Sequence, residues 1–469
     1  MRYEYTILDG PEIEQIHQVS LRVLAGAGMK VYDSQLCDRL AGKGLDVDRQ
    51  SQVVRFPPEP VEEALKSAPS VFSVRDHLGN LVALRNGTTL PSVYENAVKV
   101  WDWNTKTVRP STLADLQICT KLADALPEIG IACPACLPGD LPQAVQMPVS
   151  VRTLLENSTK VNMVAPHGRS EAELWLEAAA IADQNLADSE DSSLIFVASP
   201  TSPLQIDRNT CIIMKIGAER GIPLLLSSCP MAGTTSPATM AGTTVLTHAE
   251  FLGMLTISQL LCLGSPVIYG GSAGPVDLRY GTLSYGAPER NTMLCANIDI
   301  ANHFQLPHFS SAGSVDSSFP DFQTGQAKAL TWLTRLMKRT ILGIWFGGLL
   351  TGSAIAPEQI ILDADLYRSV LSMLEGMKVD DERLAYEAIC RVGPGGSFLM
   401  DEHTLDWMRK GEYYLSTVIN MQGEHGAAMV DRAHQEVEAI LASHQPSVSP
   451  NVREDLRRLF ESVSAGQET

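Results

Sequence analysis

PVIYGG at residues 266–271 is one of a series of short apolar segments that decides the fold. Each segment ends in small or polar residues and is followed by a helix-like stretch, with successive starts about 30 to 43 residues apart until the last pair. Continuous apolar runs are typical of parallel strands that are covered on both faces. Seven such segments and a less regular eighth are present, at residues 130–135, 160–166, 193–199, 222–228, 266–271, 306–311, 341–348 and 359–363.

This repeat favours an α/β fold of the (β/α)8 TIM-barrel type over an open doubly wound sheet. Active sites of such barrels lie where the strands end and the following loops begin. We predict an N-terminal α+β unit over residues 1–125, the barrel over 126–380, and a C-terminal helical segment over 381–469 that completes the rim and outer surface. Within the first unit, the pattern predicts helices at 11–27 and 33–44 and strands at 53–56, 71–75 and 81–84.

The overall charge and hydropathy limit the class of partner. The net charge is −18, from 54 acidic and 36 basic residues, which argues against binding of nucleic acid or an anionic membrane. The apolar stretch at 251–271 is divided by Gly264, Ser265 and Pro266 into a helix and a strand, each too short to span a bilayer. The first residues are polar and acidic, unlike a secretory signal. We therefore expect a soluble, cytoplasmic protein.

The nine cysteines indicate reduced thiols, because their number is odd and no secretory signal is recognised. Only Cys133 and Cys136, in the sequence CPAC, are close together along the chain. A structural zinc site needs about four ligands, and no second pair follows at a suitable spacing. We therefore predict no metal site.

Two long loops after predicted strands carry most of the candidate acidic residues. They read GGSAGPVDLRYGTLSYGAPE (270–289) and SSAGSVDSSFPDFQTGQAK (310–328). Long loops in compact domains are usually functional or mobile. Each acid also has a structural interpretation, since Asp277 with Arg279 could hold a wide turn and Asp321 could cap the next helix. The possible binding acids are Asp277, Glu289, Asp316 and Asp321.

The chain has no Ser/His/Asp elbow, no glycine-rich phosphate loop and no HExxH motif. Aromatic and acidic residues near the predicted strand ends instead favour a small cationic ligand, because both stabilise positive charge. Phe346 could equally belong to the core, and His403 could pair with Asp401 or Glu402. We predict one cavity surrounded by Tyr94, Glu95, Trp101, Tyr280, Tyr285, Phe346 and His403, and we assign no catalytic residue.

The two loop sequences, extended to LPHFSSAGSVDSSFPDFQTGQAK (306–328), and the segment VGPGGSFLMDEHT (392–404) together carry a family resemblance. The chain resembles the trimethylamine methyltransferase family of corrinoid-dependent enzymes, most clearly over residues 90–420. The resemblance implies a (β/α)8 barrel that moves a methyl group from a methylated amine to the cobalt of a partner corrinoid protein. The corrinoid (cobalamin) would thus be carried by that partner and not bound permanently.

Trimethylamine enzymes of that family carry pyrrolysine in the region that corresponds to residues 311–321, where this chain has ordinary residues. The resemblance therefore implies the branch that demethylates quaternary amines such as glycine betaine, proline betaine or carnitine. Two alternatives stay open: a barrel lyase or hydrolase that uses Asp277 or His403 as acid or base, and a non-catalytic betaine-binding protein. We also expect a homo-oligomer, and an open barrel end whose corrinoid-facing edge contains Gly271, Ser272, Gly274, Gly313, Gly347 and Gly348.

Overall fold

The N-terminal part of the chain combines helices and short strands, as the sequence predicts. The computed structural model describes residues 5–183, 191–419, 427–446 and 448–466. The helices are Gly10–Gly26, Ser34–Gly42 and Pro58–Ser67, and the strands are Met29–Val31, Asp46–Asp48, Val53–Arg55, Phe72–Arg75 and Leu81–Leu84. The first helix begins at a capping box, in which Asp9 and Glu12 each accept the other's backbone N–H.

Eight parallel strands close into a barrel, which confirms the predicted fold class. We number them β1 to β8 in chain order. Each neighbouring pair is parallel, and the last strand pairs with the first through Trp345 opposite Ser92. The strands are β1 (Ser92–Val93), β2 (Ile131–Ala132), β3 (Val161–Val164), β4 (Leu194–Ala198), β5 (Leu224–Ser228), β6 (Val267–Gly271), β7 (His308–Ala312) and β8 (Leu342–Phe346).

One strand assignment is wrong. Residues 359–363 belong to the helix Pro357–Glu375, which begins with a proline in its first turn and buries Ile360 and Ile361. The eighth strand of the barrel is instead Ser92–Val93, which lies within the segment assigned to the N-terminal unit. The predicted domain boundaries at residues 125 and 380 stay a prediction. Within the predicted N-terminal unit and C-terminal segment, residues 1–4, 420–426, 447 and 467–469 lie outside the described residues.

One helix follows each barrel strand and covers its outer face. The helices are α1 (Leu113–Ala125), α2 (Gln143–Asn157), α3 (Arg169–Ala182), α4 (Arg208–Arg220), α5 (Met240–Leu261), α6 (Pro288–His303), α7 (Phe322–Met337) and α8 (Pro357–Glu375). Helix α5 is buried on nearly all sides because it packs against α4, α6, β5 and two N-terminal helices. No helix in the described part of the chain has the length and apolar character needed to cross a membrane.

The loops after the strands build two small sheets at the C-terminal end of the barrel. One contains Met231–Ala232, Gly274–Asp277 and Thr282–Leu283, from the loops after β5 and β6. The other contains Gly348–Leu349, Ala354–Ile355, Lys99–Asp102 and Thr107–Pro110, from the loops after β8 and β1. Because these loops leave the strands at their C-terminal ends, both sheets stand beside the end at which barrel enzymes bind substrate.

The C-terminal segment is helical, as expected, and contacts the outside of the barrel. Its helices are Asp381–Leu384, Tyr386–Val392, Glu402–Lys410, Ala427–Ser443 and Pro450–Gly466. The last two lie against the barrel helices: Ala427–Ser443 contacts α8 and α1, and Pro450–Gly466 contacts α2 and α3. The segment between α8 and the helix Ala427–Ser443 leaves many apolar side chains exposed, including Met400 and Tyr386.

Candidate active site at the C-terminal end of the barrel

Tyr94 and Glu95 follow strand β1 directly and therefore lie where that strand ends. The backbone N–H of Tyr94 continues the barrel pairing by donating to the carbonyl of Phe346. Its ring fits closely against the loop after β8, since a Cβ atom added to Gly352 would lie 2.0 Å from the Tyr94 hydroxyl. Gly352 also has a φ of +83°, which glycine adopts more easily than other residues. Tyr94 is thus held in one position by the glycine-containing loop.

Aromatic rings inside the barrel extend the surface formed by Tyr94. Trp345 meets Tyr94 edge to face at 5.1 Å between ring centroids, and Phe309 lies 5.4 Å from Trp345. All three belong to the same apolar cluster as Ile195, Leu225 and Ile268, which come from other strands of the barrel. The indole Nε1 of Trp345 is buried without a hydrogen-bond partner among the described residues. Aromatic faces of this kind attract organic cations.

Tyr285 and Arg290 reach the same end of the barrel from the loop after β6 and the start of α6. The guanidinium of Arg290 lies over the Tyr285 ring, 4.6 Å from its centroid. Arg290 is 2% exposed and donates to the carbonyl and hydroxyl oxygens of Ser311 at 3.4 and 3.2 Å. Asp316 holds the loop by accepting the backbone N–H groups of Tyr285 and Gly286 at 2.9 and 2.8 Å.

These residues lie close enough to influence one another electrostatically. Tyr94 lies within electrostatic range of Glu95, Tyr285 and Arg290. Cys229, at the end of β5, lies within range of both Tyr285 and Arg290, and its Sγ contacts the carbonyl oxygen of Ser272 at 3.3 Å. We call Tyr94, Glu95, Cys229, Tyr285 and Arg290 the mouth cluster. Cys229 is exposed, so the cluster reaches the protein surface.

Burial perturbs the ionisable groups of the mouth cluster. Loss of hydration raises the pKa of the Glu95 carboxyl to about 7, and its Oε2 has no hydrogen-bond partner among the described residues. Burial also raises the pKa of the Tyr285 hydroxyl and lowers the pKa of the Arg290 guanidinium. Buried polar groups usually have partners, so unpaired ones near a strand end indicate a place for a ligand.

The structure brings together three of the seven predicted site residues, namely Tyr94, Glu95 and Tyr285. Trp101 lines a different hollow of about 380 Å³ with Lys106 and Phe319. His403 lines a third of about 170 Å³, with Trp407 among its neighbours.

The remaining two point elsewhere. Tyr280 is 75% exposed in the turn after Asp277. Phe346 is fully buried outside the barrel, where its ring stacks on Trp332 and also contacts Tyr367. Phe346 is therefore a core residue. Its strand neighbour Trp345 is the aromatic residue that meets Tyr94, because successive strand residues face opposite sides.

Of the four acidic residues predicted as possible ligand-binding groups, three bind other groups of the protein and one faces solvent. Asp277 binds Arg279 within one turn, and that contact lowers the pKa of Asp277 to about 2. Asp321 caps α7 by accepting the backbone N–H of Thr324. Asp316 anchors the loop that carries Tyr285, and Glu289 is exposed in the first turn of α6. Of the four, only Asp316 contacts the backbone of a mouth-cluster residue.

The glycines expected to form an open edge are buried, and Ser272 is half-buried. Most of them accommodate neighbouring protein atoms. A Cβ atom on Gly271 would lie 2.4 Å from the Asn297 amide nitrogen, and one on Gly313 would lie 2.0 Å from the Trp345 carbonyl oxygen. Gly274, Gly347 and Gly348 would each bring a Cβ atom within 3.0 Å of a side chain. These positions therefore serve internal packing, which differs from the predicted exposed edge.

The CPAC cysteines are buried, and Cys133 lies within electrostatic range of Glu95. Burial raises the pKa of both thiols. In the part of the chain that the structure describes, no three His, Cys, Asp or Glu residues are grouped closely enough to hold a metal ion.

Arg290, Trp345 and Cys229 lie at the candidate site but were not predicted from the sequence. Arg290 follows Glu289 directly, but the next position on a helix points about 100° away, which takes Arg290 inward and leaves Glu289 in solvent. Side chains alternate between the two faces of a strand, so the pairing of Trp345 with Ser92 and of Phe346 with Val93 decides which of the two aromatic residues faces Tyr94. That pairing could be used only if residues 92–93 had been assigned as a strand. Cys229 follows a predicted strand immediately, and that position was the available signal.

Comparison with known proteins agrees with this architecture. A monomethylamine methyltransferase structure from Methanosarcina barkeri superposes with a TM-score of 0.51 at 13% identity, covering 93% of this chain and 89% of that one. That likeness supports the barrel fold. At the sequence level, a trimethylamine methyltransferase of Desulfitobacterium hafniense (strain DSM 10664 / DCB-2) is 29% identical, with 96% of this chain and 92% of that protein covered.

A glycine betaine methyltransferase of Desulfitobacterium hafniense (strain Y51) is 28% identical, with 96% of this chain and 95% of that protein covered. The relatives therefore include enzymes named for a tertiary amine and for a quaternary amine. Residues 2–463, nearly the whole chain, match the trimethylamine methyltransferase (MTTB) family. Together with the barrel, this match identifies the chain as a methyltransferase that belongs to the trimethylamine methyltransferase (MTTB) family.

Proposed function

We propose that the protein transfers a methyl group from a quaternary amine, of the glycine betaine, proline betaine or carnitine type, to the Co(I) of a corrinoid protein or cobalamin. The observation that carries the proposal is the buried, unpaired carboxylate of Glu95 beside the ring of Tyr94. A quaternary ammonium group carries no N–H, so it favours a carboxylate and aromatic faces over hydrogen-bond acceptors in fixed directions.

The charge of the ligand explains how Glu95 would act. Near neutral pH its carboxyl exchanges between the protonated and ionised forms, because its pKa is about 7. A bound cation favours the ionised form and so lowers this pKa. Tyr94 is held by the loop at Gly348 and Gly352 and would keep the ammonium group in one orientation. Glu95 and Tyr94 are thus proposed as the groups that bind and orient the cation.

The chemistry requires little else from the chain. A reduced corrinoid, when bound, supplies the nucleophile that accepts the methyl group. The C–N bond that breaks leaves a neutral tertiary amine, so no side chain has to donate a proton to nitrogen. Positioning the methyl group and excluding water would then provide most of the rate acceleration. This is consistent with a site that contains aromatic rings and a desolvated carboxylate.

The corrinoid would arrive on a partner protein, as the family resemblance implies. Apolar side chains at the C-terminal end of the barrel fit such a partner, since Leu278 is 81%, Tyr280 75% and Phe319 49% exposed on the loops after β6 and β7. Exposed apolar side chains on such loops are available to a partner protein. A role in docking would also explain Tyr280 better than a role in the mouth cluster. We further propose that the protein forms a homo-oligomer.

The experiment is to mix the protein with cob(I)alamin and a panel of methylated amines under anaerobic conditions and to follow the loss of Co(I) absorbance. Glycine betaine, proline betaine, carnitine, choline and trimethylamine form the panel. We expect methyl transfer from at least one quaternary amine and none from trimethylamine. Transfer from trimethylamine alone, or from none of the compounds, would contradict the proposal.

Two variants test whether the proposed site is responsible. Glu95→Gln removes the carboxylate with little change in shape, and we expect methyl transfer to fall about 10- to 100-fold. Glu289→Gln is the matched control, because Glu289 is exposed on the first turn of α6. Equal activity in the two variants would mean that the reaction takes place away from Glu95.

A further inference from the structure

Arg290 is a buried cation at the barrel end, and no carboxylate neutralises it in the part of the chain that the structure describes. Its guanidinium donates only to the neutral oxygens of Ser311, and its Nε has no hydrogen-bond partner among those residues. Asp316 lies within electrostatic range, but both of its oxygens already accept backbone N–H groups of the Tyr285 loop. Buried arginines are usually paired, because desolvation of an unpaired charge is costly.

The position of Arg290 relative to Glu95 suggests which kind of ligand could supply the missing negative partner of Arg290. Both residues lie within electrostatic range of Tyr94, so one aromatic ring has a buried carboxylate and a buried guanidinium near it. The two groups do not form an ion pair with each other, although each lacks a charged partner among the described residues. A ligand with a positive and a negative group would satisfy both charges at once.

We propose that Arg290 binds the carboxylate of a zwitterionic substrate and thereby selects betaines over quaternary amines that lack an acidic group. This inference rests on the proposed function and adds to it the specificity residue and the second charge of the substrate. The planar guanidinium is suited to a carboxylate, with which it forms two parallel hydrogen bonds. Tyr285 supports the guanidinium from one face, at 4.6 Å between its ring centroid and the Arg290 Cζ.

The geometry also accounts for the loop after β6. Asp316 fixes the backbone of Tyr285 and Gly286, and the Tyr285 ring covers Arg290. Gly274 lies against the arginine stem, because a Cβ atom there would be 2.9 Å from the Arg290 Cδ atom. The motif GGSAGPVDLRYGTLSYGAPE thus supplies Gly274 and Tyr285, which pack against the Arg290 side chain and hold its guanidinium in place.

The test compares glycine betaine with choline, which has a hydroxymethyl group where glycine betaine has its carboxylate. Dissociation constants for both are measured by calorimetry at pH 8 on the full-length protein. We expect the native protein to bind glycine betaine about 10- to 100-fold more tightly than choline. Arg290→Gln should remove this preference, because it should weaken the binding of glycine betaine about 10- to 100-fold and the binding of choline much less.

Further variants keep the test decisive. Arg290→Lys retains the charge without the planar fork, and we expect it to keep part of the preference. Arg279→Gln is the control, because Arg279 is an exposed arginine in the same loop that pairs with Asp277. If Arg290→Gln does not fold, the inference is still tested by two ratios of the choline and glycine betaine dissociation constants. The ratio should be high for the native protein and intermediate for Arg290→Lys. Equal binding of the two ligands by the native protein, or an unchanged preference in Arg290→Gln, would overturn the inference.

The outcome is separable from that of the proposed function. Methyl transfer from choline without binding of glycine betaine would leave a quaternary-amine methyltransferase and overturn the role of Arg290. Preferential binding of glycine betaine that depends on Arg290, without methyl transfer from any amine to cobalamin, would support the carboxylate site and overturn the proposed reaction.

Discussion

Two pairs of oppositely charged side chains in this molecule differ in whether the two charges bind each other. Lys328 on α7 and Asp363 on α8 are fully buried and bonded to each other at 2.5 Å, and Asp363 also accepts from the Gly347 backbone and from Gln359 at 2.7 Å. At the barrel end, Glu95 is half-buried and Arg290 is buried, and neither has a charged hydrogen-bond partner among the described residues.

The difference separates charge that holds the structure together from charge that is available to a ligand. The first pair is satisfied inside the protein, and its removal should affect folding. The second pair has unsatisfied atoms in the native fold, and its removal should affect binding. The predictions below test this separation, beginning with the largest expected effect.

Lys328→Met should lower the free energy of unfolding by about 3–5 kcal/mol, because Asp363 would remain as an uncompensated buried charge. Denaturant or thermal unfolding measures the change. The double variant Lys328→Met with Asp363→Leu should recover most of the loss, since two apolar residues replace both charges. A double variant as unstable as the single one would show that Asp363 acts mainly through its bonds to Gly347 and Gln359.

Glu95→Gln should weaken binding of the quaternary amine by about 10- to 100-fold and leave the unfolding temperature unchanged or higher. The reason is that the native carboxylate has no partner to lose and its desolvation cost is relieved. Calorimetry and thermal unfolding on the same samples give both quantities. A large fall in the unfolding temperature without a change in affinity would contradict this, and it would mean that Glu95, like Lys328, is needed for folding and not for binding.

The affinity for the quaternary amine should depend on pH through Glu95. Its pKa is about 7 in the free protein, so the affinity should fall about tenfold for each pH unit below 7 and level off above it. Binding at pH 6 should therefore release a proton, which calorimetry detects when buffers of different ionisation enthalpy are compared. Glu95→Gln should show neither effect, and proton release by that variant would assign the titration to another group.

The raised pKa of Glu95 also makes the free energy of unfolding depend on pH. The pKa of Glu95 rises from an ordinary value of 4.5 to about 7 on folding, so the folded state holds the proton more tightly. The resulting contribution to stability is fully present below pH 4.5 and is lost as the pH rises to about 7. The difference in unfolding free energy between the native protein and Glu95→Gln, measured across this range, should follow that course.

Asp316→Asn should have the smallest effect, with binding of glycine betaine weakened about three- to tenfold. The carboxylate holds two backbone N–H groups of the loop that carries Tyr285, and an amide can accept them only partly. The choline constant should change less, because choline does not require Arg290 in our proposal. Asp277→Asn, on the exposed part of the same loop, is the control.

The sequence predicted the architecture well because its strongest signal is local. Apolar runs at regular spacing located strands β2 to β8, and local patterns located two of the three helices and three of the five strands that precede residue 85. Strand β1 was not predicted, because it has only two residues and is defined by its pairing with Trp345 and Ile131 rather than by its own sequence pattern. The run at 359–363 resembles a strand in composition, but Pro357 begins a helix there.

The site was predicted only in part, because side-chain direction depends on contacts that composition does not reveal. Tyr94 and Glu95 were predicted from a segment that concentrates aromatic residues, and Tyr285 was predicted from a long glycine-rich loop. Phe346 faces away from the candidate site while its strand neighbour Trp345 faces it, and Glu289 faces solvent while its helix neighbour Arg290 is buried. In both cases the residue that lies at the candidate site is the immediate neighbour of the residue named.

The two-residue strand Ser92–Val93 also affects how the chain acquires its structure. It pairs with Ile131 on one side and with residues 345–346 on the other, so the ring of strands closes only when distant parts of the chain meet. Contacts of such long sequence separation slow folding. During synthesis, the growing chain therefore holds an open parallel sheet with unpaired edges until strand β8 has left the ribosome, and this interval is when aggregation or chaperone binding would compete most strongly.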